Sequence, residues 1–372
     1  MKPGTGDAAF APRLRLARHF YGLTQAELGE RLDVSRQYVH QLESATKFPS
    51  DVLRTDCVLE LGFEHRFFAS PLSRELRDEE CHFRKRQTTP LHVRSRVLAH
   101  GTLFAEFVDW LDRTLKLPSV SIPDCTFDSP EAIERAAEKC RLEWGVGPDA
   151  PIANVTRMLE RVGVVIATFD DISEKVDAFS WHGPRPLVIR STVKGDPARA
   201  RFDVAHEAGH LVGHVGVATD STKREAEADR FASALLLPRR GFVREFPRGS
   251  RVDWVALVSL KERWGASIQA IVRRAFDLRL ISARQYQSCF IHISKRGWRT
   301  EEPGDVAAEP AEIVSTALGV ASGRLGIPAM NVAAELGWSS GVLERLLGVA
   351  VGTAPLSNVV SLHGSQRHPR LR

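Results

Sequence analysis

The sequence predicts a multidomain, mainly α-helical protein that contains one α+β domain. Three observations lead to this prediction. Short, well-capped helices stand near the amino terminus, three apolar strand-like runs lie between residues 162 and 190, and apolar residues recur at helical spacing over most of the remaining chain. At 372 residues, the chain is long enough for about two or three domains, each with its own core.

The first predicted helices have the pattern of an all-α helix-turn-helix domain. Thr24 is placed to cap a short helix, with Glu27 at the capping-box position three residues later. Residues 33–34 make a tight turn, and Ser35 caps the helix that follows. The three predicted helices span residues 12–21, 25–32 and 36–42.

The second helix of such a pair enters the DNA major groove with its amino-terminal residues leading. Arg36 and Gln37 stand at that end, and arginine suits the guanine edge while glutamine suits the adenine edge. Tyr38 and Gln41 follow on the same helix, and Gln25 begins the preceding helix, where a phosphate can bind. We therefore expect contacts to double-stranded operator DNA. A helical bundle that docks protein is the alternative.

The middle of the chain predicts the α+β domain. Residues 50–117 and 131–161 have helical patterns, and the proline and turn residues of 117–130 indicate a linker between them. Mixed strands directly ahead of a helix make an α+β core, and an edge strand of that sheet could bind an extended peptide by β-augmentation. The predicted strands are Val162–Phe169, Ala178–Trp181 and Pro186–Arg190.

The segment His206-Glu207-Ala208-Gly209-His210 carries the strongest chemical signal. Two histidines four residues apart lie on one face of a helix, so both imidazoles can reach one metal ion. The adjacent Glu207 can then hold and deprotonate a water on that metal. The small and apolar residues around the motif are typical of a buried helix with a polar site. A chance match is the alternative.

A catalytic zinc site needs a third protein ligand and one open position. We expect Glu225, on a second helix, to be this ligand, and Asp229 on the same face to accept a hydrogen bond from a ligand histidine. Glu227 points elsewhere on that helix and is expected to be a solvated charge. His214 is the rival third ligand, but three residues along one straight helix fit tetrahedral ligation poorly.

These residues predict peptide-bond hydrolysis with Zn²⁺ as the cofactor. Zinc on the three ligands lowers the pKa of its water and polarises the scissile carbonyl. Glu207 takes the proton of the water and passes it to the leaving amine. The sequence does not place the group that stabilises the oxyanion. Weak candidates, each better explained as structural, are His182, Arg201 and Tyr286.

The chain resembles Xre-type helix-turn-helix regulators fused to an ImmA/IrrE-type zinc metallopeptidase domain. The first part of the resemblance rests on residues 23–43, LTQAELGERLDVSRQYVHQLE. The second part rests on residues 201–202, the motif at 206–210 with His214, and residues 225–238, EAEADRFASALLLP. The resemblance implies a zincin-like fold for the α+β domain. It also implies regulation, since such relatives cleave a partner repressor and thereby relieve transcriptional repression.

The resemblance also divides the chain into expected domains. These are an Xre-type helix-turn-helix domain at 1–70, a helical connector and linker at 71–130, an ImmA/IrrE-type metallopeptidase domain at 131–303, a small helical carboxy-terminal region at 304–350, and a disordered tail at 351–372.

The expected function is that of a DNA-binding transcriptional regulator whose zinc endopeptidase domain cleaves a partner protein, a repressor or antitoxin-like partner. In the alternative, the metal domain of such a transcription factor or repressor is a sensor or structural module without proteolysis. A single copy would bind DNA weakly, so we expect a homodimer on a two-fold operator. The scattered, odd-numbered cysteines and the lack of a transmembrane-length apolar run predict a cytoplasmic protein without a membrane partner.

Overall fold

The computed structural model describes residues 5–72, 74–77, 81–83, 90–169, 178–191, 196–216, 221–249 and 251–348. The tail predicted at 351–372 lies outside the described residues. Helices make up most of the described chain and surround one small sheet. The prediction of a mainly α-helical protein with an α+β part is therefore confirmed.

The amino-terminal region is entirely helical. Within it, the turn between the second and third helices places Asp33 in the left-handed region, at a φ of 50°. The Thr24 side chain and the Glu27 carboxylate form a complete capping box, and the Ser35 side chain caps the next helix through the Tyr38 N–H. The helices are α1 Thr5–Phe20, α2 Gln25–Arg31, α3 Arg36–Glu43, α4 Asp51–Leu61 and α5 His65–Ala69.

A buried ion pair fixes α3 relative to α1. The Arg18 guanidinium donates two hydrogen bonds to the Glu43 carboxylate, at 2.6 and 2.9 Å. The Gln25 side-chain amide, at the start of α2, donates a third at 2.8 Å. Charge-assisted, two-pronged bonds of this kind hold a geometry tightly, so the three helices present α3 at a set angle.

Gly29 allows the close approach between α2 and the turn that leads to α3. A Cβ atom at this position would lie 2.6 Å from the carbonyl oxygen of Val34, a backbone atom that cannot swing away. Only glycine fits here without moving the turn. The helix-turn-helix therefore depends on a glycine at position 29 as well as on its helix caps.

We expect Gly29→Ala to lower the free energy of unfolding of the amino-terminal domain by about 1–3 kcal/mol, because overpacking against the backbone outweighs the better helix propensity of alanine. Chemical denaturation of the full chain measures this. The control is Gly319→Ala, since a Cβ placed on Gly319 meets no atom within 4 Å apart from the neighbouring backbone of its own helix. Equal stabilisation by both substitutions would contradict the close approach.

The remaining elements follow in chain order. One short segment of the stretch predicted to be helical differs from that prediction, since residues 81–83 form a strand. Residues 115–129 contain no helix, in agreement with the linker predicted at 117–130. The elements are β1 Cys81–Phe83, α6 Leu91–Thr114, α7 Pro130–Glu143, α8 Val155–Arg161, β2 Val165–Phe169, β3 Ala178–Trp181, β4 Leu187–Ser191, α9 Pro197–Gly213, α10 Ser221–Leu236, α11 Arg239–Glu245, α12 Trp254–Trp264, α13 Ile268–Asp277, α14 Ala283–Lys295, α15 Ile313–Leu325, α16 Ala329–Leu336 and α17 Ser340–Leu347.

The described strands form one sheet in the order β1-β3-β4-β2. β2 and β4 run parallel, whereas β3 is antiparallel to both of its neighbours. β1 pairs His82 with Ser180 of β3, which places it on the side of β3 opposite β4. The sequence did not predict β1, because a three-residue strand takes its stability from a distant partner strand and not from its own periodicity.

The sheet separates two hydrophobic cores. On one face, Ala167, Phe179 and Ile189 pack in a core shared with the helix-turn-helix, α6 and the carboxy-terminal helices. On the other face, Ile166 and Val188 pack with residues of α9, α10 and α12. Successive strand residues point to opposite faces, so this small sheet joins the amino-terminal helices to the helices that follow it.

The carboxy-terminal helices pack against the amino-terminal domain. Phe63, after α4, forms a β-bridge with Trp338, between α16 and α17. The backbone N–H of Glu64 donates to the carbonyl of Gly337 at 2.8 Å. The small helical region predicted at 304–350 therefore packs against the amino-terminal helices in the described structure.

Buried carboxylates join the carboxy-terminal region to the sheet domain. Glu160 of α8 accepts the backbone N–H groups of residues 312–313, each at 2.9 Å, where α15 begins. Glu309 accepts the N–H groups of residues 155–156 at the start of α8 and pairs with Arg201 of α9. Each carboxylate satisfies helix amino-terminal donors that would otherwise be unpaired, so the two regions stabilise each other.

Among the described residues, no single helix is both long enough and apolar enough to cross a membrane. α15 and α16 meet these criteria only when they are taken together, and they are bent by 102° relative to each other.

Candidate metal centre and DNA-binding helix

The segment His206–His210, predicted to bind a metal, lies in the second half of α9, which packs closely against α10. Asp196 caps the start of α9, and Pro197 occupies its first turn. A Cβ atom on Gly209 would lie 3.2 Å from the Cα of Ala228, so the two helices touch through their smallest residues. This contact brings the carboxylates of α10 within reach of the α9 histidines.

His206, His210 and Glu225 converge on one point. The Nε2 atoms of the two histidines are 3.1 Å apart. Oε2 of Glu225 lies 3.4 Å from Nε2 of His206, and Oε1 of the same carboxylate lies 3.3 Å from Nε2 of His210. Both histidines are buried, and Glu225 is only partly exposed. The structure thus brings together the three side chains that the sequence predicts as ligands.

The separations among these nitrogen and carboxylate oxygen atoms are close enough for the three side chains to hold one metal ion. Zinc–ligand distances of about 2.0–2.1 Å place neighbouring ligand atoms about 3.3 Å apart. The observed 3.1–3.4 Å separations match this value. Two imidazoles and one carboxylate are also a donor set found in catalytic zinc sites that keep an open position. The residues present therefore fit a bound metal.

Glu207 is buried beside this cluster and beside β3. Its Oε2 atom has no hydrogen-bond partner within the described part of the chain. Burial raises the pKa of Glu207 to about 7, while His206 and the nearby Ser180 act in the opposite direction. A buried carboxylate oxygen without a partner is costly unless a further group, such as a water or substrate atom, occupies the site.

The pKa values of the three candidate ligands are shifted by burial and by the contacts that these side chains make with one another. Burial lowers the pKa of His206, but hydrogen bonds to Asp229 and Glu225 raise it to about 9. Burial likewise lowers the pKa of His210, to about 4. Although burial opposes it, hydrogen bonding to both histidines holds the pKa of Glu225 well below its usual range. The carboxylates next to His206 thus favour a positive charge at this ring, and a bound metal ion can supply that charge in place of a proton.

Asp229 occupies the position that the sequence predicts for it. Its Oδ1 atom accepts a hydrogen bond from Nδ1 of His206 at 2.8 Å. This leaves Nε2 of His206 directed toward His210 and Glu225. A carboxylate behind a ligand histidine fixes the tautomer and the ring orientation.

Of two further residues, Glu227 departs from the sequence-based expectation, whereas His214 agrees with it. Glu227, expected to be a solvated charge, is only 13% exposed and lies 3.0 Å from Nε2 of His214. His214 is not placed as a third ligand, because its Nδ1 atom lies 2.9 Å from Nδ1 of His210. The position of the end of α9 relative to α10 creates these contacts, and the spacing of residues within α10 does not reveal it.

The weak candidates for oxyanion stabilisation have other surroundings. Arg201 is buried and donates to the carbonyls of Ile152 and Gly265 and to Glu309. Its role is thus structural. Tyr286 packs within an aromatic cluster of α13 and α14, and His182 is exposed in the turn between β3 and β4.

The residues predicted to read DNA lie on α3 and at the start of α2. Arg36 and Gln37 are exposed at the beginning of α3, while Tyr38 and Gln41 are half-buried one turn further on. Lys47 lies over the Tyr38 ring at 5.2 Å and adds a positive charge that sequence reasoning missed. Four of the predicted DNA contacts thus lie on α3: Arg36, Gln37, Tyr38 and Gln41.

Comparison with known protein families now assigns both regions. Residues 159–276 match the family model described as the IrrE N-terminal-like domain, Peptidase M78. The chain contains an IrrE-like peptidase domain. This match includes β2 to β4 and the two helices that carry the candidate ligands, and peptidases of this family are typically metal-dependent.

Residues 13–46 match the model of sigma-70 region 4, a DNA-binding helix-turn-helix type. None of the curated proteins compared with the chain matches it. The protein thus joins a DNA-binding helix-turn-helix to the IrrE-like peptidase domain, and the more specific Xre assignment remains an expectation.

Proposed function

We propose that this protein is a transcriptional regulator whose IrrE-like domain is a zinc-dependent endopeptidase that cleaves a partner protein. One observation carries the proposal: the buried cluster of His206, His210 and Glu225 has ligand-atom separations of 3.1–3.4 Å, and the unpartnered oxygen of Glu207 lies beside it. This arrangement supports hydrolysis, since a purely structural zinc site uses four protein ligands.

A zinc ion, when bound, supplies Lewis-acid chemistry that polarises a peptide carbonyl and activates water. His206, His210 and Glu225 would hold it. Glu207 would orient the attacking water, take its proton and deliver that proton to the leaving amine. Asp229 keeps the ring of His206 in the orientation that ligation requires.

The sheet beside the site favours an extended protein substrate. β3 carries Ser180, which lies next to Glu207, so a peptide paired with β3 would run past the catalytic residues. β1 occupies the outer edge of β3. A substrate that pairs with this strand therefore has to displace residues 81–83, and a segment without stable structure of its own is best suited to do so.

The helix-turn-helix supports a regulatory role for the cleavage. A DNA-binding domain in the same chain concentrates the peptidase at promoters, where a repressor or antitoxin-like protein is the nearest partner. We propose a homodimer of Xre type on a two-fold operator, since two recognition helices are needed for tight binding. The shared core of the amino-terminal helices and the sheet is consistent with coupling between the two domains.

Metal analysis of the purified full chain tests the centre of this proposal. The wild type should contain about one zinc ion per chain, and His206→Ala should lose it, because two remaining ligands bind zinc far more weakly than three. His92→Ala, which removes an exposed histidine of α6, is the control and should keep the metal. A folded wild type without zinc, after purification and zinc addition, would overturn the proposed metal site.

A further inference from the structure

His214 and Glu227 form a chain of contacts that ends on a proposed metal ligand. Nδ1 of His210 lies 2.9 Å from Nδ1 of His214, and Nε2 of His214 lies 3.0 Å from the Glu227 carboxylate. His214 is the residue that follows the last turn of α9, and Glu227 is on α10. The two helices thus meet a second time, on the opposite side of His210 from Glu225.

Proton positions along this chain follow from the ligand geometry. His210 directs its Nε2 toward His206 and Glu225, so in a neutral ligand the proton is on Nδ1. That N–H needs an acceptor, and the neighbouring Nδ1 of His214 provides it only if it carries no proton. The proton of His214 is then on Nε2 and is donated to Glu227. Any other neutral tautomer of His214 would place two N–H groups against each other.

The surroundings hold this arrangement in place. His214 is 3% exposed, and the ring of Phe127 meets it edge-on at 5.3 Å. The Glu227 side chain is 13% exposed, and the Lys223 ammonium lies 3.6 Å from its other oxygen. In such a buried setting a hydrogen bond to a carboxylate is strong, and a mismatched proton is costly.

We propose that His214 and Glu227 are positioning residues that fix the tautomer and orientation of His210 for metal ligation. The inference rests on the proposed metal site. The two histidine ligands then have different supports: His206 is held directly by the Asp229 carboxylate, whereas His210 is held by the Glu227 carboxylate through His214.

This arrangement makes a specific prediction about coupling between residues. Loss of an outer partner of a ligand histidine typically lowers metal affinity 10–100-fold. Glu227→Ala and His214→Phe should each weaken zinc binding in that range of about 10–100-fold. Because Glu227 acts through His214, the double variant should bind zinc no more weakly than His214→Phe alone. Asp229→Asn acts on the other ligand, so its effect should multiply with that of Glu227→Ala.

The experiment is a zinc titration of the metal-free full chain against a chromophoric chelator, with the thermal midpoint of each metal-free variant measured beside it. Ala226→Ser, a change at an exposed position of α10, is the control and should keep the wild-type affinity. Imidazole ¹⁵N spectra of the zinc-bound protein report the tautomers directly. They should show His214 protonated on Nε2 and His210 protonated on Nδ1.

The possible results separate the inference from the site on which it rests. A wild type with no zinc affinity overturns both. A wild type that binds zinc, with Glu227→Ala and His214→Phe within twofold of it, overturns the positioning role alone. The same holds if the effects of those two substitutions multiply, or if His214 is protonated on Nδ1 in the zinc-bound protein.

Discussion

Glu207→Gln should abolish peptide-bond cleavage while the chain keeps its zinc. Glutamine has nearly the shape of glutamate and fits the same buried space, so the ligands His206, His210 and Glu225 remain in place. It cannot accept the proton of an attacking water. Groups that perform general acid–base catalysis contribute about 10²–10⁴ in rate, and we expect a loss of that size.

The measurement compares new protein amino termini by mass spectrometry after the purified wild type or Glu207→Gln is mixed with an extract of the cells of origin. Zinc content is determined on the same samples. Glu138→Gln, an exposed substitution on α7, is the control and should give the wild-type products. If Glu207→Gln yields the same products at the same rate, the chain is not the peptidase. The metal domain would then be a sensor or a structural module of a DNA-binding protein.

Arg36→Ala and Gln37→Ala should each weaken specific DNA binding by about 1–3 kcal/mol, which is the range for a side chain that reads a base edge. Both side chains are exposed at the leading end of α3. The buried bonds among Arg18, Glu43 and Gln25 hold this helix in position, so neither substitution should unfold the domain. Each variant should also discriminate less at the base pair that its residue contacts.

An operator selected from random duplexes with the full chain provides the probe, and fluorescence anisotropy at a fixed salt concentration provides the affinities. A two-fold symmetric selected sequence is the expected result for a homodimer. Arg239→Ala, an exposed arginine of α11, is the control. If both α3 variants bind within twofold of the wild type, α3 is not the recognition helix, and the amino-terminal bundle docks a protein instead.

The helix-turn-helix could be predicted closely because its signals are local. Thr24, Glu27 and Ser35 satisfy helix donors within three residues of themselves, so their roles are visible in the sequence. The histidine pair was equally visible, since residues four apart always share a helix face. Glu225 and Asp229 could be proposed from the sequence because they share one face of a second helix and because zinc accepts carboxylate ligands.

Contacts between segments that are distant in the chain could not be predicted from local sequence patterns. Glu227 was expected in solvent, yet it meets His214 because α9 ends beside α10. β1 was expected to be helical, yet it completes the sheet through hydrogen bonds to β3. The carboxy-terminal helices carry no local sign that they pack on the residues around Phe63.

The features that could be predicted differ from the others in how far apart along the chain the interacting residues lie. Residue types and short spacings decided the helices, their caps and the chemistry of the metal-binding motif, because each depends on backbone geometry within a few residues. Tertiary packing decided that Glu227 meets His214, which segment covers the edge of β3 and how the amino-terminal helices share a core with the sheet. Those outcomes depend on burying apolar surface and pairing polar groups across the whole chain, which no local pattern encodes.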